Sequence, residues 1–185
     1  MTPEGQQPQP RDFEKLGGRL VHEGPFISLE VARFRYPDGE EVQRDIVRHP
    51  GAVGIVCHDD TDLILVRQPR EAVGDPDVLE LPAGKLEDGE DALTTAKREL
   101  SEEVGLQAEH WAPLTSYWSS VGVMDEEVHV YLATGLSEDP DAEPVAGERI
   151  EVVRWPLGDL DGALAATKDA KTIIGLLLLR DRRNA

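Results

Sequence analysis

Residues 84–106 read Gly-Lys-Leu-Glu-Asp-Gly-Glu-Asp-Ala-Leu-Thr-Thr-Ala-Lys-Arg-Glu-Leu-Ser-Glu-Glu-Val-Gly-Leu, and they are the most informative part of the sequence. Its second half predicts one amphipathic helix, because at about 100° per residue four apolar side chains share a stripe: Leu93, Ala96, Leu100 and Val104. Asp88 or a nearby residue can cap the start of the helix, and Gly105 can supply the left-handed residue that commonly ends one. One side of the helix is therefore expected to pack against the rest of the chain.

Three carboxylates crowd the neighbouring stripe of the same helix. Glu99, Glu102 and Glu103 lie within a single turn, where like charges repel and helix formation gains nothing from them. A solvated acidic face is one interpretation, because runs of charge are usually solvated. A site for a hard divalent cation is the other, because carboxylate oxygens suit magnesium.

The fixed positions of the stretch favour the metal site. Gly84, five residues, Glu90, seven residues and then Arg-Glu-Leu-Ser-Glu-Glu-Val-Gly-Leu at 98–106 resemble the complete Nudix box, with every fixed position filled. So many positions at fixed spacing make chance agreement very improbable. The chain is identified by this resemblance as a member of the Nudix hydrolase family.

The composition of the chain limits the kinds of molecule that it is expected to bind. A net charge of −18 and a pI near 4.5 argue against binding nucleic acid, which needs a basic surface, and equally against an anionic membrane surface. The single cysteine, Cys57, excludes an intramolecular disulfide and predicts a reducing, cytoplasmic location with a buried, inert thiol. We see no signal-peptide pattern and no apolar span long enough to cross a bilayer, so we expect no membrane association.

Apolar periodicity predicts the order of the elements. Residues 1–11, rich in Pro and Gln, are expected to be a disordered tail. Alternating residues over 12–50, with a hairpin turn at Asp38-Gly39, predict an antiparallel β unit that is marginal alone and must pack on the body or on a partner subunit. Residues 51–185 are expected to be the Nudix hydrolase domain, an α/β (α+β) fold with a mixed central sheet flanked by helices, similar to the Nudix α/β/α sandwich. Within it, 74–77 is expected to be a flexible connection to a short strand over 78–84.

The resemblance implies a magnesium site built on the helix. Its ligands are the carboxylates of Glu99, Glu102 and Glu103 and the backbone carbonyl of Ala83. Pyrophosphate hydrolysis needs charge neutralised on the phosphoryl oxygens, a positioned water and a base for its proton. We therefore expect Mg²⁺ as cofactor, with Mn²⁺ able to substitute.

The resemblance also implies a catalytic set of Arg98, Glu102 and Glu148. Glu148 is assigned as the base because it immediately precedes a predicted late strand, and Glu143 and Glu151 are alternatives for that role. Arg98 and Glu90 have opposite charges, and their pairing would fix the loop against the helix. Structural roles fall to three box residues: Gly84, Glu90 and Gly105.

Substrate class is indicated by residues outside the box. Arg67-Gln-Pro-Arg70 resembles the Gln-x-Arg segment of ADP-ribose and sugar-nucleotide pyrophosphatases, and Glu80-Leu-Pro-Ala-Gly resembles their lead-in to the box. Arg67, Arg70 and Glu80 are therefore the expected substrate-binding residues, and a guanidinium fork at Arg70 would suit a diphosphate. Val121 departs from the subfamily pattern, which often has a proline there, and leaves the identity of the substrate open.

These patterns together predict an enzyme that hydrolyses the pyrophosphate bond of ADP-ribose to AMP and ribose 5-phosphate. A nucleotide-sugar pyrophosphatase, acting on ADP-glucose or GDP-mannose, is the alternative, and a non-catalytic nucleotide-sensing Nudix module is a third. The expected partner is a small-molecule nucleoside diphosphate derivative. The N-terminal β unit resembles the extra sheet by which ADP-ribose pyrophosphatases form intertwined dimers, which implies a homodimer.

Overall fold

The structure is a computed structural model that describes residues 12–143, 147 and 149–184. The predicted tail over residues 1–11 and the predicted base Glu148 lie outside the described residues. The described chain forms two compact units. The first runs up to His49 and includes Ser120–Asp125, and the second comprises Pro50–Ser119 and the described residues from Glu126 onward. The grouping of 120–125 with the first unit was not anticipated by the predicted division into 12–50 and 51–185.

The first unit is a three-stranded antiparallel sheet, formed in this order by β1 (Glu14–Glu23), β2 (Ser28–Arg35) and β3 (Glu41–Arg48). Gly39 adopts a φ of 90° in the β2–β3 turn, where a residue with a Cβ would be strained. Asp125 accepts hydrogen bonds from Arg48 Nη1 at 2.8 Å and from His49 N at 2.9 Å. These bonds attach the 120–125 segment to the end of β3.

The second unit is built on a mixed sheet. Its strands follow one another along the chain as β4 (Ala52–His58), β5 (Asp62–Arg70), β6 (Asp75–Glu80), β7 (Ala83–Lys85), β8 (Leu106–Trp118), β9 (Glu127–Glu138) and β10 (Glu151–Pro156). The strand order is β10-β5-β4-β9-β8, with β6 paired to β5 and β7 paired to β4. The β4–β9 pair is parallel, whereas β4 pairs antiparallel with both β5 and β7. The helices are α1 (Ala92–Val104), α2 (Leu160–Ala166) and α3 (Ala170–Asn184).

Helices cover both faces of this sheet. Along β4, Ile55 and Cys57 belong to an apolar cluster that includes Leu100 of α1, whereas Val56 belongs to a second cluster that includes Leu176 of α3. All five side chains are fully buried. The near-continuous apolar run of β4 follows from burial on both faces, and the predicted α/β/α sandwich with a mixed central sheet is confirmed.

One local prediction differs from the structure, and the structure identifies the residue that another left open. The segment predicted as a flexible connection at 74–77 is mostly strand, because β6 begins at Asp75 and pairs with β5 as far as Arg70. Asp91, rather than Asp88, caps α1, accepting hydrogen bonds from Leu93 N at 3.0 Å and Thr94 N at 3.1 Å. Across the described part of the chain, each helix is too short or too polar to cross a bilayer.

Candidate active site

Two of the predicted ligand carboxylates lie on the backbone of β7. Glu103 Oε2 accepts a hydrogen bond from Ala83 N at 2.9 Å. The carboxylate of Glu99 lies so close to the Cα of Gly84 that a Cβ at that position would overlap it. Residues 83 and 84 therefore bring together two acidic side chains that are one helical turn apart on α1.

Regular structure holds both sides of this contact. Gly84 pairs with Val53 and Ala83 pairs with Gly54, so β4 fixes the position of β7. On the other side, α1 begins at its cap Asp91 and ends at Gly105, which has a φ of 71° and donates its N–H to carbonyls of the last turn. Sites carried on strands and helices are more exactly positioned than sites on loops. Gly105 thus has the structural role in the helix end that its sequence position predicts.

Arg98 is the centre of an ion-pair network beside these carboxylates. Its Nη2 lies 3.1 Å from Glu90 Oε2, and its Nη1 lies 2.8 Å from both Glu99 Oε1 and Glu102 Oε2. Nη2 also donates to the carbonyl of Lys85 at 3.3 Å. Partial burial would lower the pKa of Arg98, but the bond to Glu90 and the charge of Glu99 raise it above its usual value. The predicted Glu90–Arg98 pair is therefore present, and Arg98 also neutralises two of the predicted metal ligands.

The donor set fits a hard divalent cation in its chemistry. Glu99, Glu102 and Glu103 offer carboxylate oxygens, which magnesium prefers, and the glycine at position 84 leaves room for Glu99 against the strand. Across residues 12–143, 147 and 149–184, no three acidic, His or Cys side chains already converge in a metal-binding arrangement. Two of the carboxylates instead bind Arg98, and Glu103 binds a backbone N–H.

A second charged cluster surrounds Glu80, one of the predicted substrate-binding residues. Glu80 is 1% exposed, and its two oxygens accept from Arg70 Nε at 2.6 Å and Arg70 Nη2 at 2.8 Å. Lys171 Nζ forms a further ion pair with Glu80 Oε2. Burial raises the pKa of Glu80, but the hydrogen bond from Arg70 and the charge of Lys171 lower it below its ordinary value overall. Glu80 is thus a buried, ionised carboxylate whose contacts are with two cations of its own chain.

The two predicted substrate-binding arginines have different surroundings. Arg70 keeps 43% of its side chain exposed while bound to Glu80, and it lines a cleft of about 610 Å³ between β6 and the start of α3. Arg67 forms an ion pair with Asp77, its Nη1 lying 2.9 Å from Oδ2. Only Arg70 is therefore held in a fixed orientation by a buried partner.

Three other residues singled out from the sequence are exposed. Glu143 is exposed in the loop before β10, and Glu151, also exposed, opens β10 opposite Arg67. Val121 is 79% exposed and belongs to the first unit. With Glu148 outside the described residues, the identity of the base stays a prediction.

The start of α3 supplies residues that the sequence interpretation missed. Lys171 binds Glu80, and Asp169 caps α3 by accepting from Thr172 N at 2.9 Å. One local signal was available: Lys171 lies in the first turn of a helix, where the macrodipole disfavours a cation. A cation at that position indicates a partner elsewhere, but sequence alone could not identify the partner as Glu80, which lies 91 positions away.

Comparison with known proteins agrees with this geometry. A family profile described as the NUDIX domain matches residues 47–174. The chain is 36% identical to a methanol dehydrogenase activator of Bacillus methanolicus, over 86% of this chain and 88% of the relative. It is 37% identical to an ADP-ribose pyrophosphatase of Bacillus subtilis, over 86% and 88%, and 46% identical to one of Mycobacterium tuberculosis, over 69% and 62%.

A solved structure shows the same fold. The crystal structure of an ADP compounds hydrolase superposes with a TM-score of 0.76, at 24% identity, covering 94% of this chain and 95% of that one. At this level of identity, the similarity supports the arrangement of strands and helices.

Proposed function

The chain belongs to the Nudix hydrolase family, and from that premise we propose that it hydrolyses the pyrophosphate bond of ADP-ribose, giving AMP and ribose 5-phosphate. The main support for the proposal is that Glu99 and Glu103, two carboxylates of the box, both lie against the backbone of residues 83–84. The choice of ADP-ribose as the proposed substrate is supported by the ADP-ribose pyrophosphatases among the relatives.

In this proposal, the carboxylates of Glu99, Glu102 and Glu103 and the carbonyl of Ala83 would hold Mg²⁺, and Mn²⁺ would be able to replace it. A bound divalent cation neutralises charge on the phosphoryl oxygens and lowers the pKa of a bound water. A cation there would share Glu99 and Glu102 with Arg98, whose Nη1 donates to Oε1 of Glu99 and to Oε2 of Glu102. Arg98 keeps Glu90 and the Lys85 carbonyl as partners, so it stays attached to the loop.

Side chains of the protein bind the diphosphate and accept the proton of the attacking water in this scheme. Arg70 donates hydrogen bonds to the substrate diphosphate, with its guanidinium oriented by Glu80. Glu80 acts through Arg70 in this scheme, since only 2% of its side chain is exposed and both of its oxygens accept from Arg70. Glu148 takes the proton of the attacking water, with Glu143 and Glu151 as the alternatives.

The identity of the base has its own test. We expect Glu148→Gln to lower kcat by about 100-fold or more, in the range of general base catalysis, while the Mg²⁺ concentration for half-maximal rate stays unchanged. Glu143→Gln and Glu151→Gln are the matched controls. A near-normal kcat for Glu148→Gln, with a large loss in one of the controls, transfers the role to that residue.

The proposal includes a homodimer formed through the first unit. This unit exposes Leu20 and Val21 of β1 to 52% and 45%, and Phe26 of the β1–β2 connection to 55%, which is costly for a small sheet in isolation. We expect light scattering to give twice the mass of the chain, and Leu20→Glu to give the monomer mass. A wild-type monomer at micromolar concentration would contradict this part of the proposal.

A substrate panel tests the function directly. Purified protein is incubated with ADP-ribose, ADP-glucose, GDP-mannose and 8-oxo-dGTP, with Mg²⁺ or Mn²⁺, and products are separated by chromatography. We expect AMP and ribose 5-phosphate from ADP-ribose, with chelation abolishing turnover. Hydrolysis of 8-oxo-dGTP without hydrolysis of ADP-ribose would overturn the proposed substrate, and absence of turnover with intact binding would favour a nucleotide-sensing module.

A nucleotide-sugar pyrophosphatase is the second candidate. It is favoured by Val121, which stands where many ADP-ribose pyrophosphatases have a proline. A kcat/KM for ADP-glucose or GDP-mannose above that for ADP-ribose would establish this function.

A further inference from the structure

The segment from Thr167, the C-cap of α2, to Thr172, in the first turn of α3, is bonded to the strand that leads into the box. Thr167 Oγ1 donates to the carbonyl of Leu79 at 2.7 Å, and Leu81 N donates to Thr172 Oγ1 at 2.8 Å. Lys171 forms its ion pair with Glu80, which lies between them. Three successive residues at the end of β6 and just beyond it are therefore held by one segment.

Lys171 differs from Thr167 and Thr172 because its contact with the strand is an ion pair rather than a hydrogen bond to the backbone. Its side chain is only 15% exposed, and besides Glu80 it binds Asp169, with Nζ 3.1 Å from Oδ1. Since a cation in the first turn opposes the helix dipole, α3 gains nothing from a lysine at this position. The charge of Lys171 is used in its ion pairs with Asp169 and Glu80, and of these two the pair with Glu80 connects α3 to the strand that leads into the box.

Through Glu80, Lys171 is connected to Arg70. Glu80 Oε1 accepts a hydrogen bond from Arg70 Nε. Glu80 Oε2 accepts hydrogen bonds from both Arg70 Nη2 and Lys171 Nζ. Two cations thus balance one buried carboxylate, and each limits how far the other can move. Arg70, with 43% of its side chain exposed, is held by this arrangement at the edge of the 610 Å³ cleft.

We propose that Lys171 is a positioning residue for substrate binding, which acts through Glu80 to hold the Arg70 guanidinium toward the diphosphate. The inference rests on the proposed function, in which Arg70 binds that group. Without Lys171, Glu80 keeps a single cationic partner, and Arg70 is drawn toward the uncompensated carboxylate and away from the substrate. Because this removes binding rather than transition-state chemistry, the effect falls on KM more than on kcat.

The test is a double-mutant cycle on the best substrate of the panel. Lys171→Met should raise KM by about tenfold with kcat within about threefold, as loss of binding common to ground and transition states does. The double variant Lys171→Met/Arg70→Ala should have the KM of Arg70→Ala, because a residue that acts through Arg70 has no effect once Arg70 is removed. Lys171→Arg, which keeps the charge, should restore most of the affinity.

Controls separate this role from general effects of charge and folding. Lys168→Met removes the same charge from the same cleft and, under the proposal, changes KM by less than about twofold, whereas an increase equal to that of Lys171→Met would overturn it. If Lys171→Met does not fold, Glu80→Gln/Lys171→Met, which leaves no unpaired buried carboxylate, is compared with Glu80→Gln. The two should have the same KM, because Lys171 acts through the charge of Glu80, and a further rise in KM in the double variant would overturn the inference.

Two results decide between the inference and the function on which it rests. A wild-type KM in a folded Lys171→Met protein, or effects of Lys171→Met and Arg70→Ala that multiply in the double variant, would overturn the inference alone. A wild-type protein that turns over no nucleoside diphosphate would overturn both.

Discussion

The contact between Gly84 and Glu99 gives the sharpest prediction. In Gly84→Ala, the new methyl group would occupy the space of the Glu99 carboxylate. The backbone itself accepts alanine, because Gly84 is not among the glycines with positive φ. The clashing atoms are the far end of a flexible side chain, so Glu99 can rotate away without unfolding the protein.

This rotation has a small cost in stability and a large cost in activity. It breaks the 2.8 Å hydrogen bond from Arg98 Nη1, and a partly exposed bond of that kind contributes about 1–2 kcal/mol. The melting temperature should then fall by about 2–8 °C. Misplacement of a catalytic group by about 1 Å can cost about 100-fold in rate, so we expect kcat to fall by about that factor and half-maximal activity to need more Mg²⁺.

The assay compares Tm, kcat and the Mg²⁺ dependence of Gly84→Ala with those of Gly158→Ala. A Cβ at position 158 would meet no atom of the described residues within 4 Å, and Gly158 has no positive φ, so its alanine variant should be fully active. It should also be equally stable or more stable, by up to about 1 kcal/mol. Wild-type kcat and Mg²⁺ dependence in Gly84→Ala would refute the assignment of Glu99 as a ligand held against the strand.

Three further predictions concern single side chains. Glu103→Gln should lower kcat by about 100-fold or more while the protein stays folded by circular dichroism, and an unchanged rate with Mg²⁺ present would exclude Glu103 as a ligand. The pKa of Glu80 is lowered in the folded protein, so its contribution to stability is complete above the unfolded pKa of about 4.3 and is lost as the pH falls through the folded pKa. Tm should therefore fall on acidification below about pH 4.5, and an equal fall in Glu80→Gln would show that Glu80 is not responsible. Burial raises the pKa of the Cys57 thiol to about 12, so the native protein should not react with iodoacetamide at pH 8, whereas rapid labelling of the native protein would contradict its burial.

Local patterns predicted the centre of the candidate site well. The box residues lie within one short stretch, so their spacing alone places Glu99 and Glu103 one turn apart, and the structure adds the contacts with Ala83 and Gly84. The helix end at Gly105 was predicted for the same reason, because capping depends on the residues next to it. The metal itself and the catalytic roles of these residues stay predictions.

Contacts between residues that lie far apart along the chain could not be predicted from the sequence. Lys171 and Glu80 are 91 positions apart, and neither belongs to a pattern that refers to the other. Arg98 was predicted to pair with Glu90. Its additional ion pairs with Glu99 and Glu102 were not predicted, because they depend on the side-chain rotamers of α1. The strand character of Asp75–Glu80 likewise arises from pairing with β5, which overrides the turn-like composition of 74–77.

The bond between Leu81 and Thr172 has a consequence for the newly synthesised chain. A nascent polypeptide that ends before residue 171 contains the whole box but lacks the Thr172 hydroxyl that accepts from Leu81 N and the Lys171 ammonium that pairs with Glu80. Contacts of such long sequence separation form late, because a large loop must close first. Synthesis therefore has to pass residue 172 before the strand that leads into the box can form these bonds.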